Sequence, residues 1–177
     1  MYGIRIHGRG GQGAKTAARI IGRACFLEGK QTQDFAIYGS ERRGAPVMGF
    51  VRIDDKKILE RGYIEKPDLV AVMDDTLFNV TNVLDGLVKG IIIVNTTKKI
   101  ALKTKAEVHT IDITELALKE TGHDIPDTAT AAAIAKISGV AGLGSVLKAI
   151  EIELGRFEKE DIEKNKRLAE KTWEQVR

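Results

Sequence analysis

The sequence predicts an α/β fold: three layers, a mostly parallel sheet with helices on both faces, an added antiparallel hairpin and a helical C-terminal part. Three observations predict it. The runs "LVAVMD" and "GIIIVN" are short, apolar and uninterrupted, as strands covered on both faces are. Segments with helical spacing alternate with such runs as far as residue 121, the order that builds parallel crossovers. From about residue 127 onward the pattern is helical only, and its first segment is rich in alanine. The 177 residues are read as one domain, 1–177, long enough to bury a core without disulfide staples.

Taken in order, residues 2–7, "YGIRIH", alternate and carry β-branched side chains, which predicts a strand. Ala17, Ile20, Ile21, Ala24 and Leu27 recur at helical spacing across 14–28, and Gly29 closes that helix. Residues 31–37 read as a second strand, followed by a loop, "YGSERRGAP". Residues 47–53 read as a strand that turns at "DDKK" into a short partner, "ILE", giving the added hairpin over 47–60. Strands are predicted at 69–73, 91–95 and 107–111, with helices at 76–87 and 114–121. Three more helices are predicted, at 128–141, 145–154 and 158–176, the last with Ile162, Ala169, Trp173 and Val176 on one face.

Composition narrows the function. Apolar residues make up 43%, charged residues 30% and aromatic residues 5%, with a net charge of +3. Charges of both signs are interspersed and no aromatic platform alternates with basic residues, so a nucleic-acid face is not expected. The longest nearly uncharged run, "TATAAAIAKISGVAGLGSVL", contains Lys136, glycines and serines and is too polar for a membrane span. Met1 leads directly into a strand, so no signal peptide is read. With one cysteine, Cys25, no internal disulfide can form, and a buried structural thiol in a reducing, cytoplasmic setting is expected. His109 and His123 lack partners at metal-ligand spacing, so no metal site is predicted. His7 is expected to be structural. Asp74-Asp75 ends a strong strand, at the edge where ligands lie in such sheets; as paired carboxylates they could be catalytic, and one of them is expected to cap the turn that begins at Thr76. The alanine-rich helix and Trp173 are expected to serve packing or a subunit interface.

Gly8-Arg9-Gly10-Gly11-Gln12-Gly13 fits G-x-G-x-x-G between a strand and a helix. Glycines there allow positive φ and close backbone approach, and a helix start offers unpaired N–H groups to a phosphate. Three readings stand at this point. A dinucleotide site would use Asp34, 21 residues after Gly13, on the ribose. A P-loop needs lysine directly after the last glycine, where Ala14 stands, and Lys15-Thr16 comes one residue late. The third reading is a tight turn whose glycines only permit close packing. A second motif, "YGSERRGAPV" at 38–47, sets Arg42 and Arg43 on a glycine-flanked loop, a pattern suited to phosphate or carboxylate.

Together the two motifs resemble the gamma-subunit family of 2-oxoacid:ferredoxin oxidoreductases, and within it the pyruvate type (pyruvate synthase). The matching stretches are "GRGGQGAKTAARIIG" at 8–22, "YGSERRGAPV" at 38–47, "KPDLVAVMD" at 66–74, "GIIIVN" at 90–95, "TATAAAIAKISG" at 128–139 and "LGRF" at 154–157. The form "ERRGAPV" looks more like pyruvate and branched-chain members than 2-oxoglutarate members. In "DTATAAAIA" the sequence departs from the Asn-led start and larger apolar residues more usual in the family.

The resemblance implies an enzyme that converts pyruvate, coenzyme A and oxidised ferredoxin to acetyl-CoA, CO2 and reduced ferredoxin, or the reverse. It implies alpha, beta and delta subunits as partners. Thiamine diphosphate with Mg, and the iron–sulfur clusters, would sit on those partners and not on this chain. No catalytic residue is expected here. Gly8, Arg9, Gly10, Gly11, Gln12, Gly13, Ser40, Arg42 and Arg43 would instead hold the phosphates of coenzyme A. The alternative is a stand-alone NAD- or nucleotide-binding α/β enzyme that uses the G-x-G-x-x-G loop.

Overall fold

The computed structural model describes residues 1–37 and 43–176. The strands are β1 (Tyr2–Arg9), β2 (Gln31–Ile37), β3 (Pro46–Asp54), β4 (Leu69–Val72), β5 (Ile91–Asn95) and β6 (Glu107–Ile111). The helices are α1 (Ala14–Leu27), α2 (Ile113–Thr121), α3 (Asp127–Ser138), α4 (Leu143–Glu153) and α5 (Lys159–Gln175), with a 3-10 turn at Asp75–Asn79. One sheet runs in the order β2-β3-β1-β4-β5-β6. β1, β4, β5 and β6 are parallel neighbours, while β3 runs antiparallel to both β1 and β2. The fold is α/β, as predicted.

Two elements differ from the sequence reading, each for a non-local reason. The antiparallel hairpin is β2–β3, over residues 31–54, and not 47–60. β3 is flanked by β2 on one edge and β1 on the other, so "ILE" at 58–60 has no free edge to pair with. The second glycine–arginine motif, 38–47, therefore lies between β2 and β3 in sequence and runs into the start of β3. The expected helix at 76–87 contracts to the 3-10 turn. Arg5 is 6% exposed, and its guanidinium donates to Val83 O at 3.0 Å and Asp85 O at 2.5 Å. A continuous helix over 76–87 would use the Val83 carbonyl internally, for the Leu87 N–H.

Period-2 alternation divides the sheet's side chains between two cores. Ile4, Ile6, Val51, Ile53, Leu69, Ala71 and Ile93 face the α-helices. Val70, Val72, Ile92 and Val94 face the 3-10 turn and its following segment, through Leu77 and Val83. α1 packs on the β1–β3–β2 side, while α3 reaches β4 and β5 and packs against α1, α4 and α5. Every residue from Thr128 to Ala135 is buried. A helix enclosed all round carries few polar groups, here Thr128, which donates to Asn165 Oδ1 at 3.0 Å, and Thr130, and alanine lets its neighbours close in. Leu27, predicted inward, is 45% exposed at the last turn of α1.

Cys25 is buried, its Sγ lies 3.5 Å from Val140 O, and burial pushes the thiol up to about 12. One enclosed thiol does not fit an iron–sulfur cluster. Among the described residues no helix is long and apolar enough to cross a membrane.

Candidate functional site at the β1–α1 turn

β1 and β4 are parallel neighbours with His7 opposite Val72, and Met73 N–H donates to His7 O at 2.8 Å. The turn after β1 and the Asp74–Thr76 segment after β4 therefore share the carboxyl edge of the sheet. This is the switch point in strand order, where open α/β sheets bind ligands. On the other side the β1–β3 ladder ends at Arg9 opposite Pro46. Beyond it Gly10 N–H donates to Ala45 O at 2.8 Å, and Gly44 N–H to Gly10 O at 3.0 Å. These two bonds fasten the second motif's loop to the glycine turn.

Within the turn, Gly8 is buried at the strand end. Gly11 lies under Arg43: a Cβ at Gly11 would sit 3.5 Å from Arg43 Nε. Gly13 caps α1 with φ 80°. The first bond of α1 runs from Ala17 N–H to Gly13 O at 2.9 Å, so the N–H groups of residues 14–16 lie ahead of the helical ladder. That is the array an anion uses, at the positive end of the helix dipole. Ser40 and Arg42 lie outside the described residues, so of that motif's three expected ligands the structure bears only on Arg43, which is exposed.

Arg9 and Gln12 turn toward β4. Arg9 Nε donates to Asp74 Oδ2 at 3.0 Å, its terminal nitrogens to Gly44 O at 3.0 Å and to Thr76 Oγ1 at 2.7 Å. Gln12 Oε1 accepts from Arg9 N–H at 2.7 Å, and Gln12 Nε2 donates to Asp74 Oδ2 at 3.3 Å. Asp74 also accepts from Thr76 N–H at 2.9 Å, which is the expected cap, and from Thr76 Oγ1. Partial burial pushes the Asp74 carboxyl up, but the bonds from Thr76 and Arg9 outweigh it and hold the group below the usual carboxylate range. Asp75 faces elsewhere, toward Thr96 Oγ1 and Lys98 Nζ, so the two acids do not form a pair.

Asp127, the first residue of α3, closes the turn from the helix side. A Cβ at Gly13 would meet its Cβ and Oδ2 at 2.6 Å. Burial pushes this carboxyl up to about 7, against the bond it accepts from Thr128 N–H at 2.7 Å. A cavity of about 270 Å³ adjoins it, lined also by His123, Asp161 and Lys164. His7 has the structural role expected. It is 3% exposed and accepts Arg5 Nε at 2.9 Å on Nε2, and burial and then Arg5 lower it to about 4. It is thus neutral, with its proton on Nδ1.

The dinucleotide reading of the loop does not survive this topology. A ribose-binding acid stands on a strand parallel and adjacent to the first, whereas β3 separates β2 from β1. Asp34 faces the middle of α1, 3.1 Å from where a Cβ on Gly22 would be. A surface hollow of about 510 Å³ runs along α1 past Lys15, Arg19, Arg23 and Asp34. Arg19 and Arg23 are both paired there with Glu153, at 2.9 Å and 2.7 Å, so the hollow is a salt-bridge cluster. Among the described residues no three His, Cys, Asp or Glu side chains cluster as a metal site.

Sequence reasoning placed Asp74 at the ligand edge of the sheet and read it as a cap, but missed its bonds to Arg9 and Gln12, and it missed Asp127 altogether. Asp127 carried no local signal, because only the packing of α3 brings it to Gly13.

The chain is thus an α/β protein with a glycine turn at the switch point of its sheet, fastened to the segment that carries Arg43 and Gly44. A family model described as pyruvate ferredoxin/flavodoxin oxidoreductase matches residues 3–175, and the chain belongs to that family. It is 46% identical to pyruvate synthase subunit PorC of Methanocaldococcus jannaschii over 177 residues, covering 99% of this chain and 97% of the relative. It is 43% identical over 184 residues to the pyruvate/ketoisovalerate oxidoreductases common subunit gamma of Pyrococcus furiosus, with 99% and 97% covered. The crystal structure of pyruvate oxidoreductase subunit PORC from Thermotoga maritima superposes with a TM-score of 0.86 at 34% identity, covering 99% of this chain and 97% of that one. These likenesses place the chain as a gamma-type subunit of a 2-oxoacid ferredoxin oxidoreductase.

Proposed function

We propose that this subunit holds the phosphates of coenzyme A in a hetero-oligomeric pyruvate:ferredoxin oxidoreductase, so that the thiol reaches chemistry performed on other chains. The observation that carries the reading is the convergence of the α1 start, the glycine turn and Arg43 over Gly11. Coenzyme A bears a pyrophosphate and a 3′-phosphate, which call for both backbone donors and cations. The glycine turn would supply the first and Arg42 and Arg43 the second, with Ser40 adding a hydroxyl donor. The contribution is positional: bringing a thiol to a reacting carbon replaces a bimolecular encounter with an intramolecular one.

Pyruvate decarboxylation and electron transfer to ferredoxin then belong to the alpha, beta and delta partners. Thiamine diphosphate with Mg and the iron–sulfur clusters supply the carbanion and electron chemistry there. In this chain a lone buried Cys25 fits neither group, and no step through them is assigned to its residues.

Anaerobic purification of the tagged chain from its native cell tests the reading. It should arrive in a brown complex with three partner chains that reduces ferredoxin or viologen with pyruvate plus coenzyme A. A colourless lone chain with its own NAD- or ATP-dependent turnover would overturn it.

A further inference from the structure

We propose that Asp74 is a positioning residue for the coenzyme A phosphates and that Arg9 is its strut, not a phosphate ligand. This rests on the reading of the turn as a coenzyme A site. Asp74 is the point at which the turn, two residues of which reach it, meets the end of β4. Its Oδ2 receives Arg9 Nε at 3.0 Å and Gln12 Nε2 at 3.3 Å, and its Oδ1 receives Thr76 N–H at 2.9 Å. Arg9 also reaches Thr76 Oγ1, on the same segment, at 2.7 Å, and spans the site in the other direction to Gly44 O at 3.0 Å. One carboxylate thus links β4, the glycine turn and, through Arg9, the hairpin loop with the arginine motif.

The consequence is preorganisation. The glycines that let a phosphate approach also leave the turn with more backbone freedom than any other residues would. Unless that freedom is removed beforehand, ordering it is charged against binding. Local backbone bonds do part of the work: Gln12 N–H donates to Arg9 O at 3.0 Å. The remaining polar side chains of the turn converge on Asp74.

The alternative role for Arg9 makes the opposite prediction. Asp74 neutralises the Arg9 guanidinium. If Arg9 were a phosphate ligand, Asp74→Asn would release a cation beside the phosphates and tighten binding. If Arg9 is a strut, the same substitution loosens the turn and weakens binding.

The test is steady-state kinetics of the assembled enzyme carrying Asp74→Asn, Arg9→Met or both, with Arg43→Ala as reference. Losing charge-assisted bonds of this kind should raise the KM for coenzyme A about tenfold in each single variant. The double variant should be no worse than either single one, because both remove the same brace. The KM for pyruvate should stay within about twofold, and backbone amides of residues 9–13 should exchange faster in each variant. A KM for coenzyme A that falls or stays unchanged in Asp74→Asn, while Arg43→Ala raises it, overturns the proposal and leaves the site reading standing. If none of the variants moves that KM, the site reading itself fails, and the Asp74–Arg9 pair is a packing tie only. Should Asp74→Asn fail to assemble, Arg9→Met alone decides: a strut predicts faster exchange at residues 9–13 together with the raised KM, and a ligand predicts the raised KM with exchange unchanged.

Discussion

Gly13→Ala is expected to destabilise the chain by at least about 3 kcal/mol, the largest effect of any single substitution in the glycine turn. Two costs add. Gly13 sits at φ 80°, where an L side chain costs roughly 1–2 kcal/mol. The new Cβ would also stand 2.6 Å from Asp127 Cβ and Oδ2, so either α1 or α3 must shift at its first turn. Gly139, the αL cap of α3, separates the two costs. Its φ is 68° and no heavy atom lies within 4 Å of where its Cβ would be, so Gly139→Ala should cost only the backbone strain, roughly 1–2 kcal/mol. Thermal unfolding of the purified chain measures the difference. Equal losses for the two variants would mean that the contact between Gly13 and Asp127 is not tight.

Asp127→Asn is expected to stabilise the chain, increasingly as pH rises. The native carboxyl titrates at about 7 against an ordinary value of 3.8. Below about pH 4 both folded and unfolded chains hold the proton and no penalty exists. Between there and about pH 7 the unfolded chain releases a proton that the folded chain keeps, so stability falls as pH rises. Above pH 7 the full penalty applies, up to about 4 kcal/mol. Lys164, Asp161 and His123 line the adjoining cavity, and Lys164 already pairs with Glu160 at 2.7 Å. Asparagine keeps an oxygen for the Thr128 N–H and carries no charge. The gain in unfolding temperature over the parent should therefore be small at pH 4.5 and largest at pH 8. A gain that is flat across that range would show that Asp127 is not the group responsible.

The strands at 69–72 and 91–95 were legible because a short uninterrupted apolar run between helical segments has a place in a covered parallel sheet and almost nowhere else. The glycine turn was legible for the same reason of context, a strand before it and a helix after. What escaped depended on partners distant in sequence. "ILE" at 58–60 has strand composition, but both edges of β3 were already taken. Residues 80–87 have helical spacing, but the buried Arg5 guanidinium claims two of their carbonyls. Asp34 stood at the ribose position by count alone, and only the strand order moves it away. Asp127 and Gly13 have no local signature of each other at all.

The central claim is that the two motifs hold coenzyme A together, and the KM for coenzyme A of the assembled enzyme with Arg42→Ala and Arg43→Ala tests it most directly. Charge-assisted bonds to phosphate are worth about 1.5–3 kcal/mol each, so at least a tenfold rise is predicted, with the KM for pyruvate unchanged. A correctly assembled double variant whose KM for coenzyme A matches the parent's would contradict the account, and the glycine turn would then serve packing alone.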